Sequence, residues 1–251
     1  MSDLKAELAL RKAALSDPIK YIEYLRPENL QDFDKEPAQH HYLLARELRD
    51  MAEGKSLQTA VSEPPGSAKS FYCSIVFPTL LVARDPSHKV LALTSSESLG
   101  EDFSIRRRQI FRSQRWQNLA STSLSPDAQS LQKQLTLQGG GVYTFGAGSN
   151  IQGFRCNTIV ADDLVSGYEV AGSLSQLDKL WNWYISEARA RLVDFLAWHC
   201  GPSEAPDILD ALLATDDTLL ARGGTRTTHE SLGRLLHSGS VSLANPVWVF
   251  P

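Results

Sequence analysis

A short apolar strand that leads through a Pro-Gly loop into a long apolar helix constrains the fold of this chain most strongly. The strand pattern is LQTAV (57–61), the loop is EPPGSAKS (63–70), and the helical pattern begins near Lys69. A strand followed by a tight loop and a helix is the first half of a βαβ unit. We therefore expect a sheet with helices packed against it.

Three further strand patterns and one charged helical pattern follow the loop. The strands are KVLALT (89–94), VYTFGAG (142–148) and NTIVADD (157–163), and the charged helix spans about 97–116. Strands that alternate with helices predict a mostly parallel central sheet covered on both faces, so the predicted fold class is α/β. The Gly139 to Gly141 run predicts a turn or the entry of a hairpin.

Helical patterns also precede the loop. Residues 3–15 and the segment YIEYL (21–25) predict two short helices, which we interpret as a helical N-terminal appendage over residues 1–35. A longer pattern starts at Pro37, keeps its apolar residues on one face and stops at Gly54. It predicts a third helix.

Composition excludes several classes of protein. A net charge of -4 argues against a surface that binds nucleic acid everywhere, although a local basic face remains compatible with it. Three separated cysteines, Cys73, Cys156 and Cys200, indicate neither a disulfide framework nor a zinc cluster. The most apolar run is about ten residues long, short of the roughly 20 that span a bilayer, and no signal-peptide pattern is present. We expect an intracellular protein with no membrane segment.

The 63–70 loop has some features of a phosphate-binding loop and lacks others. Such a loop surrounds an anion with backbone N–H groups and supplies a lysine for the terminal phosphates and a hydroxyl for magnesium, here Lys69 and Ser70. The pattern G-x-x-x-x-G-K-[ST] would place glycines where Glu63 and Ala68 stand. Gly66 still permits a tight turn, and the amides are expected to converge if residue 68 avoids a positive φ. An ordinary Pro-Gly turn before a helix explains the octamer equally well.

The strand pattern NTIVADD ends in two carboxylates. In a nucleotide site, Asp162 would hold magnesium through water and Asp163 would orient or deprotonate the attacking water. Taken alone, the pattern is also that of a strand ending in an acidic turn. Because it follows the 63–70 loop in the expected order, the pair favours a nucleotide site.

Residues 36–192 resemble the ATPase domain of the large terminase subunit of tailed bacteriophages, the motor that drives DNA into a procapsid. The similarity lies in PAQHHYLLARELRDMAEG, in the PPGSAKS loop, in GAGSNIQGFRCNTIVADDLV and in LDKLWNWYISEARARL. It implies a P-loop NTPase fold of the additional-strand type, with ATP and Mg²⁺ as ligands. In this family, alanine before the lysine is normal.

The resemblance assigns roles to several positions. It implies nucleotide contacts from the loop and from two residues near the third helix: Pro65, Gly66, Ser67, Ala68, Lys69, Ser70, Gln39 and His40. Gln39 and His40 match the region that contacts adenine, but a solvated helix start explains them equally well. Catalytic roles fall on Lys69, Asp162 and Asp163, and metal contacts on Ser70 and Asp162.

Arginines in the charged helix and before the last strand are candidates for a second role. Five of them, Arg106, Arg107, Arg108, Arg112 and Arg115, lie within ten residues, and 108, 112 and 115 fall on one helical face. They are candidates for DNA-phosphate contacts or for an arginine finger. Arg155 is a candidate phosphate sensor. A solvated helix face is the alternative explanation.

The resemblance weakens after Leu192. A threonine-arginine-tryptophan coupling motif is expected there, and Thr225 with Arg226 is an imperfect match. We interpret 193–251 as an irregular, truncated or degraded remainder of the ATPase domain. The family's nuclease domain is not expected in this chain, which would then be a domain fragment, one half of a split gene or a prophage remnant.

The resemblance implies double-stranded DNA, a portal protein and a small terminase subunit as partners. It also implies a homo-oligomeric ring in the cytoplasm of the bacterial host. Two other functions stay open: a nonhydrolytic DNA- or partner-binding remnant that retains nucleotide, and a helicase-type ATPase. The helicase would require further arginine motifs, which the sequence does not contain.

Overall fold

The computed structural model describes residues 2–56, 58–165, 170–192 and 247–250. Its helices are α1 Ser2–Ser16, α2 Pro18–Leu25, α3 Gln39–Ala52, α4 Phe77–Arg84, α5 Glu97–Arg112, α6 Gln114–Ala120 and α7 Leu174–Trp183. Its strands are β1 Thr59–Val61, β2 Lys89–Thr94, β3 Leu124–Gln129, β4 Lys133–Thr136, β5 Gly141–Gly146, β6 Thr158–Asp162 and β7 Val247–Phe250. Thr225 and Arg226 lie outside the described residues.

The strands form one mixed sheet in the order β1-β7-β6-β2-β5-β4-β3. In the described sheet, β2 pairs in parallel with β5 on one side and with β6 on the other. The remaining pairings in the described part of the sheet are antiparallel. The α/β class is therefore confirmed, but the expectation of a mostly parallel sheet is wrong, because a β3–β4 hairpin extends one side and β7 lies antiparallel between β1 and β6.

The three consecutive glycines end the β4–β5 connection and begin β5. Gly139 has a φ of 83°, and its N–H bonds back to the Thr136 carbonyl at 3.0 Å. A side chain at Gly140 is excluded, because a Cβ there would lie 2.3 Å from the backbone carbon of Ser87. The predicted hairpin turn is confirmed.

Hydrophobic side chains cover both faces of the sheet. Val90 and Ala92 of β2 belong to a cluster that also includes buried residues of α2 to α6, whereas Leu91 and Leu93 belong to a second cluster with residues of the segment after α7. This alternation follows from the two-residue repeat of a strand. The prediction that helices cover both faces is confirmed.

The first 35 residues contribute to the main hydrophobic cluster. Tyr21 and Leu25 of α2 are fully buried, and Phe33 in the following segment is 1% exposed. The Tyr21 hydroxyl lies 2.9 Å from Oγ1 of Thr79 in α4. The N-terminal helices therefore pack directly on the helix that follows the 63–70 loop.

That helix starts with a π-helical segment, Phe71–Val76, before it continues as α4. Pro78 causes the irregularity: it stands four residues after Ser74, so it cannot donate the N–H that an α-helix would give to the Ser74 carbonyl. Its ring would also press on that carbonyl. A wider π-helical turn relieves this conflict and leaves the Ser74 carbonyl to other donors.

Candidate functional site

The 63–70 loop connects β1 to the helix that begins at Lys69. Gly66 has a φ of 83° and Ala68 a φ of 63°, whereas Ser67 between them is not left-handed. Residue 68 therefore does not meet the condition, set from the sequence, that it avoids a positive φ. Successive backbone N–H groups in a turn of this kind form a concave anion-binding "nest".

Ala68 is strained, because its Cβ is unfavourable in the left-handed region. We expect Ala68→Gly to raise the free energy of unfolding by about 0.5–1 kcal/mol. Urea denaturation of both proteins would measure the change. A matched substitution, Ala60→Gly in β1, should lower stability instead, since residue 60 has no positive φ. A fall in stability for Ala68→Gly would contradict the strained conformation.

A cavity of about 560 Å³ lies over this loop. Residues 63–72 line it on one side, and Asp162, Asp163 and Arg106 line it on others. Ile22 and Asp32 of the N-terminal segment complete part of the wall. The volume lies within the roughly 300–1,000 Å³ of typical small-molecule sites.

Asp162 is the last residue of β6 and is only 1% exposed. Its Oδ2 accepts a 2.6 Å hydrogen bond from the Ser74 hydroxyl, while its buried Oδ1 has no partner among the described residues. Burial raises the pKa of Asp162, and hydrogen bonds from Ser74 and Ser70 and the charge of Lys69 oppose this rise. Lys69, Ser70 and Asp162, which the sequence assigned to one site, thus line the same cavity.

Asp163 lies just beyond the strand in a left-handed conformation, with a φ of 56°. Its Oδ1 is buried and has no hydrogen-bond partner within the described ranges. Burial, and then the neighbouring Asp162 charge, raise the pKa of Asp163, while Lys69 lowers it. The left-handed backbone turns two consecutive carboxylates towards the same cavity.

Glu63 is another carboxylate on this cavity, and sequence reasoning gave it no role. Its Oε2 is buried and has no partner in the part of the chain that the structure describes. It occupies the first glycine position of the phosphate-loop pattern, where it was counted only as a mismatch. An acidic residue among the small residues that precede Lys69 was the available signal.

The predicted adenine-side residues lie at the start of α3, next to the cavity. His41, rather than Gln39 or His40, is part of the lining. The His41 Nδ1 accepts from the Ala38 N–H at 2.9 Å, so in the neutral ring Nε2 carries the hydrogen and donates to the Ser67 carbonyl, also at 2.9 Å. His40 Nε2 lies 3.3 Å from the same carbonyl oxygen.

The His41 ring also stacks on Tyr72, with ring centroids 4.8 Å apart and planes at 29°. His41 thus fixes the loop backbone through its Nε2 nitrogen, and its ring forms, with the ring of Tyr72, a stacked aromatic pair in the cavity wall. The sequence contains both histidines, but it does not show which of the two side chains turns towards the loop.

The arginines of α5 have three different surroundings. Arg106 lines the cavity. Its Nη2 donates to Oδ2 of Asp32 at 2.5 Å, and its guanidinium carbon lies 5.6 Å from the centroid of the Phe71 ring. Arg107 is fully buried. Arg108 and Arg112 both contact Gln129 of β3, at 3.4 and 2.7 Å.

The prediction of one continuous helix over about 97–116 is wrong near its C-terminal end, because α5 ends at Arg112 and α6 begins at Gln114. Ser113 has an extended backbone and caps α6 by accepting from the Trp116 N–H, so the chain turns between the two helices. Arg115 therefore does not extend the surface of Arg108 and Arg112. It lies over the Tyr24 ring at 5.2 Å. Arg155 bonds the Ala190 carbonyl at 3.1 Å.

The oxygen donors at the cavity suit magnesium. Mg²⁺ is usually held by one or two carboxylates together with substrate phosphates and water, rather than by an all-protein cage. Ser70 and Asp162, with an unpartnered carboxylate oxygen, match that donor set. Within the described ranges, no group of three or more His, Cys, Asp or Glu side chains has metal-binding geometry.

The described helices include none that is long and apolar enough to cross a membrane. In comparisons with known proteins, no protein-family model matches this chain. A search of curated proteins likewise returns no significant match.

Proposed function

We propose that this protein is a P-loop ATPase that binds and hydrolyses Mg²⁺-bound ATP in the cavity over the 63–70 loop. The observation that carries the proposal is the meeting of Lys69 and Ser70, at the start of one helix, with Asp162 and Asp163, at the end of β6. These groups are distant in the chain but share one cavity. They combine cationic, hydroxyl and carboxylate chemistry at a helix N-terminus, which is the combination that phosphoryl transfer requires.

Each residue has a separate task in this proposal. The amides around Gly66 and the Lys69 ammonium bind phosphate oxygens, and Ser70 with Asp162 would hold Mg²⁺. The metal, when bound, neutralises charge that develops on the phosphates. Asp163 accepts a proton from the attacking water or orients it. His41 holds the Ser67 carbonyl and thereby the loop conformation.

The resemblance of residues 36–192 to terminase ATPase domains supports DNA packaging as the process that uses this hydrolysis. In that role the chain assembles into a ring in the bacterial cytoplasm and works with duplex DNA, a portal protein and a small subunit. The second candidate, a nucleotide-binding remnant without turnover, is favoured by the imperfect coupling motif at Thr225 and Arg226.

Phosphate release measured at several protein concentrations, with and without double-stranded DNA, separates the two candidates. A motor that receives an arginine in trans should release phosphate faster per subunit as concentration rises, because such arginines raise rates by roughly 10³–10⁵-fold in other P-loop enzymes. DNA should increase the rate further. ATP binding with a constant, negligible rate under all conditions would favour the remnant.

A further inference from the structure

Within the described residues, Arg107 of α5 is a buried cation without a carboxylate partner. It is 0% exposed, and burial lowers its pKa to about 9. Its described hydrogen bonds go to neutral oxygens: the Ser74 carbonyl at 2.6 Å, the Thr144 hydroxyl at 2.6 Å and the Ser104 hydroxyl at 2.9 Å. Burying a charge is costly, so a buried arginine with neutral acceptors needs a specific explanation.

The first part of that explanation is the Ser74 carbonyl. Pro78 cannot give this carbonyl the hydrogen bond that an α-helix would supply. The Arg107 Nη1 donates to it instead. Arg107 therefore stabilises the π-helical segment that directly follows the 63–70 loop.

The second part is the Ser74 side chain, which points to the candidate metal site. The Ser74 hydroxyl donates to Asp162 Oδ2 at 2.6 Å and leaves Oδ1 as the unpartnered oxygen. Ser74 thus accepts from Arg107 through its carbonyl and donates to Asp162 through its hydroxyl. The other guanidinium nitrogen of Arg107, Nη2, donates to the hydroxyl of Thr144 in β5. Strand β5 belongs to the same sheet as β6.

We propose that Arg107 is a positioning residue for the Asp162 carboxylate and acts through Ser74. By fixing the backbone of Ser74, it fixes the hydroxyl that orients Asp162 and keeps Oδ1 directed to the magnesium position. Arg107 therefore binds neither DNA nor phosphate directly. The proposal rests on the proposed ATPase function, since it gives Asp162 a metal to bind.

The test measures how much Mg²⁺ tightens ATP binding, as the ratio of the ATP dissociation constants in EDTA and in excess Mg²⁺. Ser74→Ala removes only the hydroxyl, and we expect it to reduce this ratio by about tenfold while ATP binding in EDTA is unchanged. Ser113→Ala is the matched control: this serine is also buried and caps α6, away from the cavity. It should lower stability but leave the ratio unchanged.

Arg107→Met should reduce the ratio as Ser74→Ala does, and Arg107→Lys should restore part of it, because lysine still donates to the Ser74 carbonyl. Arg108→Met is the control on the same helix and should have no effect on the ratio. Equal losses of ATP affinity with and without Mg²⁺ in Arg107→Met would overturn the proposal, since they indicate a general structural role. If Arg107→Met does not fold, Ser74→Ala and Arg107→Lys decide.

The outcomes also separate this inference from the function on which it depends. If the unaltered protein binds no ATP, or binds it equally with and without Mg²⁺, the proposed ATPase function fails. If the unaltered protein shows the Mg²⁺ effect and Ser74→Ala keeps it in full, only the role of Ser74 and Arg107 fails.

Discussion

Lys69→Ala is expected to weaken Mg²⁺-dependent ATP binding about a hundredfold or more, which places it below detection in an ordinary titration. The Lys69 ammonium is the cation at the start of the helix that follows the loop, next to two aspartates on the same cavity. Without it, these carboxylates repel the phosphates and the cavity wall has one cation fewer to offset them. Removing one member of a desolvated charge pair typically costs roughly 2–5 kcal/mol.

Isothermal titration calorimetry with Lys35→Ala as a control tests this expectation. Lys35 also lines the cavity, but its side chain is 72% exposed and pairs with Asp32. Its removal should therefore change ATP affinity only slightly. Equal ATP affinity in Lys69→Ala and in the unaltered protein would remove the assigned site.

Asp163→Asn is expected to lower the rate of ATP hydrolysis by roughly 10²–10⁴-fold and to leave ATP binding nearly intact. The amide keeps the shape of the side chain but cannot accept a proton from water. Asparagine also tolerates a left-handed backbone, so the φ of 56° at this position is retained without added strain. The loss should therefore be chemical and not structural.

Steady-state phosphate release, with ATP binding measured in parallel, checks this result. Asp127→Asn is the matched control, because Asp127 is an exposed aspartate on β3. It should hydrolyse ATP at the unaltered rate. Full hydrolysis by Asp163→Asn would assign the proton acceptor elsewhere, and Glu63, with its buried unpartnered oxygen, is the next residue to replace.

The elements that the sequence predicted well are those in which an apolar pattern coincides with a buried position. The KVLALT pattern is β2 over its whole length, and five of its six residues are buried. The NTIVADD pattern ends, as expected, in the carboxylate that reaches the cavity. In both cases burial on two faces leaves a continuous apolar run that is readable without any tertiary information.

The elements that were missed depend on tertiary contacts. Strand β3 has the sequence LSPDAQ, and its Pro126 and Asp127 are residue types that are depleted in strands. They are tolerated here because β3 lies at the edge of the described sheet. Its antiparallel hairpin is one reason why the sheet is mixed. Arg107 was a candidate for a DNA contact or an arginine finger, with a solvated helix face as the alternative. The sequence does not reveal that Pro78 leaves a buried carbonyl for it to bind.

A crystal structure with Mn²⁺ and a nonhydrolysable ATP analogue would show where the metal and the triphosphate bind. Mn²⁺ binds the same oxygen ligands as Mg²⁺ and gives an anomalous signal that locates it. We expect the Mn²⁺ peak beside the Ser70 hydroxyl and the Asp162 carboxylate, with the analogue's phosphates on the amides around Gly66 and on Lys69. A metal and triphosphate bound elsewhere, with residues 63–70 free of both, would contradict the proposed ATPase site.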